Sequence, residues 1–367
     1  MSARRSLQHA VPYGAHIAPR VVSLRGGGYV IGWRLSGVPG DIVAEAEAVV
    51  RHASLNLLYR SVAAPSIALY HHAFRRHAQS PQAGLMTGDS YPAQLDRDIA
   101  ARLDGDGFVA TEHYLSLVYR PMPAKAARVV LRAARRTRDE IVADRARDLE
   151  ALDTTAGRIT AGLAAYGPVP LGIQASDDGA PRSSLLSLLF RLVTGRYQSV
   201  RVPASALDYA LGGAVEIEPG VSVMRVRYAD RTRFCQCIDI GDYPNDAAAG
   251  VLDPLLGGNA EMCVTQSFAF LSDEAAAGQM KRSERVIRSL GDDGRDQLDE
   301  LFEARRALRA SEFAMGEYGF GATIWGDTVE AARDAGRDAS EALRSQGFVP
   351  RLWLVCQPLT CRSRAAD

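Results

Sequence analysis

Short runs in which apolar and polar residues alternate are followed, along this chain, by longer stretches in which apolar residues return every three or four positions. These are the periods of strand and helix. In the first half, Gly28 to Leu35 reads as a strand. Asp41 then caps an alanine-rich helix that carries Ile42, Val43, Ala46, Val49, Val50 and Leu57 toward one side, and Ser66 to Arg75 is the next strand. A polar link from Gln79 to Pro92 leads to a short helix near Leu95 to Leu103 and a third strand, Thr111 to Arg120. From Ala126 to Ala165, apolar positions at Val130, Leu131, Ile141, Val142, Leu149, Leu152, Ile159 and Leu163 sit among dense charges, which predicts one long helix or two stacked ones.

Gln174 to Arg182 reads as an exposed loop around Asp177-Asp178-Gly179, and Leu185 to Leu192 as a short buried helix. Val221 to Arg227 and Phe234 to Ile240 form a predicted hairpin. A helix near Ala248 to Leu256, a strand at Met262 to Leu271, a helical stretch to about Arg309, a strand at Phe313 to Trp325, a helix at Thr328 to Ser345 and a strand at Phe348 to Val355 follow. Gly291-Asp292-Asp293-Gly294 bends the long helical stretch, and Ile287, Leu290, Leu298, Leu301 and Leu308 give it a seam. That seam suits an intramolecular helical hairpin or an arm that binds a partner. The expected class is α+β: two layered subdomains, mainly antiparallel sheets with helices on one face, the second an elaborated ferredoxin-like layer, plus the hairpin. The expected boundaries are 1–165, 166–355 and an atypical tail at 356–367.

The 43 basic and 43 acidic residues cancel, so no global field draws the chain to DNA or an anionic membrane, and no direct nucleic-acid partner is expected. No run approaches the roughly 18 to 20 apolar residues of a membrane span. Five cysteines, Cys235, Cys237, Cys263, Cys356 and Cys361, without a signal peptide, point to a reducing cytoplasm. Cys235 and Cys237 face the same way on a strand and read as small buried thiols. His71, His72 and His77 lack metal-ligand spacing and read as partly exposed strand and loop residues. Gly26-Gly27-Gly28 precedes a strand, so it reads as a turn rather than a dinucleotide loop. Asp239, Asp242 and Asp246 suit a strand exit. The arginines of Arg128 to Arg147 are interleaved with Asp139, Glu140, Asp144 and Asp148, which makes a solvated helix surface. The two lysines, Lys125 and Lys281, lack the glycine and hydroxyl neighbours of a phosphate-binding loop, so ATP hydrolysis by this chain alone is not expected. No catalytic, cofactor or metal residue is assigned.

Three phrases carry a resemblance: Ile240-Gly241-Asp242-Tyr243-Pro244-Asn245, Val264-Thr265-Gln266-Ser267-Phe268-Ala269-Phe270-Leu271 and Phe313-Ala314-Met315-Gly316-Glu317. With the Tyr119-Arg120 strand end and the early Tyr29 to Gly37 strand, their order resembles the CagE/TrbE/VirB family, the large ATPase of type IV secretion and conjugal transfer. The resemblance implies structural or docking roles for Tyr119, Arg120, Gly241, Asp242, Tyr243, Pro244, Thr265, Gln266, Ser267, Phe268, Phe270, Met315 and Gly316. It implies an amino-terminal docking and assembly domain peripheral to the cytoplasmic face of a bacterial inner membrane. Its implied partners are inner-membrane subunits, further ATPase subunits or copies of itself. The ATP and magnesium of the full-length family belong to a motor expected to be missing here, through truncation or frameshift near Phe348. Two alternatives are a split ATPase whose P-loop motor is a separate chain, and an unrelated ferredoxin-like module that binds nucleic acid.

Overall fold

The computed structural model describes residues 5–38, 45–77, 88–105, 109–121, 137–176, 179–244, 250–289, 295–310 and 312–352. The expected Asp41 cap, the Asp177-Asp178 turn, Asp246, the Gly291 to Gly294 bend and the 356–367 tail lie outside them. The first half contains β1 (Arg5–Ser6), β2 (Tyr13–Ala18), β3 (Val21–Leu24), β4 (Tyr29–Leu35), α1 (Glu45–Val62), β5 (Ile67–His77), α2 (Tyr91–Gly105), β6 (Val109–Tyr119), α3 (Arg138–Gly162) and β7 (Pro168–Pro170). Then come β8 (Ile173–Gln174), β9 (Arg182–Ser183), α4 (Ser184–Thr194), β10 (Val200–Arg201), α5 (Leu207–Gly212), β11 (Glu216–Glu218) and β12 (Met224–Arg227). The chain continues with β13 (Thr232–Asp242), α6 (Asp253–Gly257), β14 (Met262–Phe270), α7 (Asp273–Ser289), α8 (Arg295–Arg309), β15 (Gly316–Gly326), α9 (Val329–Ser345) and β16 (Val349–Leu352).

Local chemistry sets the boundaries of several helices. Thr137 and Glu140 form a reciprocal capping box on α3, Ser183 caps α4, and the Thr328 side chain accepts from the Ala331 N–H to start α9. The hairpin before β4 turns through Gly27 and Gly28, both at positive φ, and the Gly28 Cα lies against the Tyr119 carbonyl where no Cβ fits. The glycine run is therefore a turn.

Two βαββαβ units, each with its fourth strand beside its first, account for most of the architecture. In one, β7, β4, β6 and β5 lie side by side in that order; in the other, β16, β13, β15 and β14 do. All these pairs are antiparallel, the ferredoxin-like order of fourth, first, third and second strand. The second unit inserts α7 and α8, a helical hairpin tied by Glu284 to Arg305 at 3.0 Å, between its second and third strands. The units join where β5 pairs antiparallel with β14, from Met262 opposite Arg75 to Ala269 opposite Ala68, so one sheet runs through both.

Helices cover both faces of that sheet rather than one, because β5 is apolar on both sides. Ile67, Leu69 and Ala73 point to the face packed by Leu58, Val62, Leu152 and Ile159 of α1 and α3, and by Leu255 and Leu343 of α6 and α9. Tyr70 and Phe74 point to the face that receives Leu185, Leu186 and Leu189 of α4. Eleven strands at about 4.8 Å spacing would set β1 and β2 nearly 50 Å apart on a flat sheet. The six residues from Leu7 to Pro12 that link them reach about 20 Å at most, so the sheet curls. Inside the curl α4 is largely buried, its leucines Leu185, Leu186, Leu188 and Leu189 in the core and its Ser187 and Arg191 buried among polar partners.

Three further expectations change. Val49, Val50 and Leu57 of α1 are exposed; its buried stripe is Leu58 and Val62, because α3 and the sheet take that narrower side. His72 is buried rather than partly exposed, since its face lies under α4. Cys235 and Cys263 are buried free thiols, pushed up to about 12 and about 11 by burial, but Cys237 is disulfide-bonded.

Candidate functional site

On the α1 and α3 face, the described helices leave a gap over the seam between the two units. A groove of about 500 Å³ opens there, with α1 and the end of α3 on one side and β14 and β15 on the other. Its floor is made where His71 pairs in register with both Leu115 of β6 and Gln266 of β14. Strand alternation puts His71, His113, Gln266, Phe268 and Tyr318 on this face.

Aromatic packing shapes the wall. Tyr59 of α1 stacks on Phe268 with ring centroids 6.1 Å apart and meets Phe270 edge-on at 6.4 Å, while Phe268 and Phe270 are 5.1 Å apart. Gly316 lies beneath Phe268, and a Cβ there would come within 2.5 Å of the ring. The Tyr318 hydroxyl donates to Gln266 Oε1 at 2.9 Å, and the Tyr318 ring meets Tyr243 at 5.4 Å. Burial first, then the neighbouring Tyr243 and Tyr59, push the Tyr318 hydroxyl well above its ordinary range, so it stays a donor.

The polar element of the floor is the pair His71 and His113, with Nε2 to Nδ1 at 3.2 Å and rings stacked at 5.3 Å. Burial, then repulsion from His113, lowers His71 to about 4; burial lowers His113 as well. Both rings are neutral at pH 7. Among the described residues no Asp, Glu, Lys or Arg lines the groove. A site of this composition binds apolar and aromatic surface and orients it with a few neutral hydrogen-bonding groups.

The structure gathers some of the motif residues here and places others elsewhere. Gln266, Ser267 and Phe268 line the groove, Gly316 supports it, and Tyr243 reaches it through Tyr318. The Met315 carbonyl accepts from the Leu271 N–H at 3.0 Å. Gly241 sits at a bulge in β13, where the Arg351 side chain occupies the space of a Cβ. Asp242 accepts from the Tyr243 N–H at 3.0 Å, and Pro244 packs near Gly347. Thr265 points to the opposite face, where its hydroxyl meets His72 Nδ1 at 3.0 Å. Tyr119 stacks on Tyr29 at 6.5 Å at the far end of β6, and the Arg120 N–H donates to Ser66. Asn245 lies outside the described residues. Tyr59, His71, His113 and Tyr318 line the groove without having been singled out as site residues. The alternation of their strands was the available signal for the last three, and nothing marked Tyr59.

Residues 170–352 match the family described as the CagE, TrbE, VirB family, component of type IV transporter system. Residues 20–127 match the N-terminal domain of the type IV secretion system ATPase VirB4/TrbE. The type IV secretion system protein virB4 of Brucella abortus is 28% identical over 351 residues, 94% of this chain and 42% of that protein. PtlC of Bordetella pertussis is 30% identical over 354 residues, 94% of this chain and 42% of PtlC. The virB4 protein of Agrobacterium tumefaciens is 25% identical over 352 residues, 94% of this chain and 43% of that protein. The chain thus spans less than half the length of these relatives.

Proposed function

The chain belongs to the CagE/TrbE/VirB family of type IV transporter components, and from that membership we propose that it serves as a docking and assembly region of a VirB4/TrbE-type secretion ATPase. The observation that carries this reading is the groove at the seam of the two units, uncharged and aromatic among its described residues, where the Gln266-Ser267-Phe268 phrase meets Tyr59 and Tyr318. Such a surface rewards burial of another protein's apolar side chains at about 25 cal/mol per Å². Inner-membrane subunits of the same secretion apparatus are its proposed occupants, and further ATPase subunits or copies of this chain its proposed neighbours. No helix among the described residues is long and apolar enough to cross a membrane. The same reading puts the chain at the cytoplasmic face of the inner membrane through its partners, as a proposal that rests on the family. ATP and magnesium are assigned to the part of the longer relatives that this chain does not match, in keeping with two lysines that lack phosphate-loop neighbours.

The test is co-purification of the chain with each inner-membrane subunit encoded in its own secretion locus, using the wild type and a Tyr59→Ala/Phe268→Ala variant. Recovery of one subunit, reduced in the variant, is the expected result. Recovery of none overturns the docking role, and undiminished recovery by the variant overturns the groove as its seat.

A further inference from the structure

A second concavity lies on the α4 face, at the end of the sheet where β5 and β15 finish and β13 and β14 begin. It holds about 220 Å³, and its border includes Arg76, Arg191, Arg196, Arg231, Arg233 and Trp325. Arg75 also borders it.

The arginines outnumber the carboxylates that meet them. Glu112 is shared between Arg76 at 2.9 Å and Arg191 at 2.5 Å. Asp230 takes Arg196 at 2.6 Å, while Arg233 takes both Glu261 at 2.5 Å and Asp327 at 3.1 Å. Arg231 has no ion pair among the described residues, and Arg75 bonds to the Thr111 hydroxyl and the Gly258 carbonyl instead of a carboxylate. Among the described residues, six arginines stand against four carboxylates, an excess of two positive charges.

Arg191 is the fixed centre. Its side chain is 5% exposed, and its guanidinium lies 4.1 Å over the Phe74 ring. Among the described residues it makes one hydrogen bond, from Nη1 to Glu112 Oε2, and its remaining N–H groups are not among the buried polar atoms without partners. Arg191 borders the pocket, as it does a smaller cavity on the other side lined by Leu7 and Val226.

The surroundings are built to hold the other arginines in place. Gly195 ends α4 at φ +73, and the Trp325 ring fills the space a Cβ would need. The Tyr228 hydroxyl donates to the Thr194 carbonyl, which ties the β12–β13 turn carrying Arg231 to the loop carrying Arg196. Planar, permanently charged guanidinium groups converging from two loops and a buried helix end suit the oxygens of a phosphate, which can accept two parallel N–H bonds from one arginine.

We propose that this pocket binds a phosphate group, either of a free phosphorylated compound or of an anionic lipid headgroup. The proposal stands apart from the docking role of the groove.

The full chain is titrated with sodium pyrophosphate by calorimetry at low ionic strength, and floated separately with phosphatidylglycerol or phosphatidylcholine vesicles. The same is done with Arg196→Gln/Arg231→Gln, whose circular dichroism and thermal midpoint are checked first. Should that variant not fold, Arg231→Gln alone replaces it, since Arg231 is exposed. Pyrophosphate binding weakened about tenfold or more in the variant assigns a free phosphate compound. Flotation with phosphatidylglycerol only, lost in the variant, assigns a headgroup. Binding of neither, or binding that persists undiminished in the variant, overturns the proposal.

Discussion

His72 of β5 and Thr265 of β14 are hydrogen-bonded, Nδ1 to Oγ1 at 3.0 Å, across the strand pair that joins the two βαββαβ units. The other ring nitrogen meets the Ser116 hydroxyl at 3.3 Å, so three neighbouring strands share a buried polar chain beneath α4. Thr265→Val removes the hydroxyl and leaves a buried ring nitrogen without its partner. The expected cost is about 1–3 kcal/mol of unfolding free energy, read from urea denaturation. A change within experimental scatter would show that the seam does not depend on this bond.

Stability is expected to depend on pH through the same strands. Burial first, then a neighbouring histidine, holds His71 near 4 and His72 near 3, and burial lowers His113. In the unfolded chain histidine titrates near 6.5, so below that pH the unfolded state binds more protons than the folded one. The contribution is therefore complete above pH 6.5 and is lost as pH falls toward 4 and then 3. Thermal midpoints measured from pH 7.5 to 4 should hold to about pH 6.5 and then drop, and His71→Phe should flatten the slope. A flat wild-type profile contradicts the assignment.

Gly316→Ala drives a methyl into the Phe268 ring, which is held by Tyr59 and Phe270. Overpacking of this kind costs about 1–3 kcal/mol. Gly257→Ala meets no atom within 4 Å and serves as the control with little effect. Denaturant midpoints of the two variants should separate clearly.

The α7–α8 hairpin rests partly on Glu284, which pairs with Arg305 at 3.0 Å and Arg288 at 2.6 Å. The arginines are partly solvent-exposed, so Glu284→Gln is expected to cost less than about 1 kcal/mol, and less again in high salt. Native-state hydrogen exchange of α7 would register it, with amides elsewhere unchanged. A loss spread over the whole molecule would mean the hairpin is part of the global core.

Much of the local structure was legible because its signals lie within a few residues of one another. The strand expected at Met262 to Leu271 became β14, that at Phe313 to Trp325 became β15, the helix expected from Thr328 to Ser345 became α9, and the strongly apolar Leu185 to Leu192 became α4. The order of elements in the second half was enough to anticipate a ferredoxin-like layer. The groove was only half visible: the phrase around Gln266 pointed to one wall, but Tyr59 supplies the other from about two hundred residues away.

What the sequence determined by itself was the longer strands and helices, their α+β class and the family resemblance, since each rests on short-range period or motif order; the short strands β1 to β3 and β7 to β11 and the helix α5 were not legible in it. Only the tertiary structure decided that β5 would meet β14, that the sheet would curl around α4, and that helices would take both faces. A strand's own pattern shows which of its faces are apolar, but not which strand lies beside it. That choice is made by burial and hydrogen bonding summed over distant segments, and it alone placed Tyr59 against Phe268 and Arg196 beside Arg231.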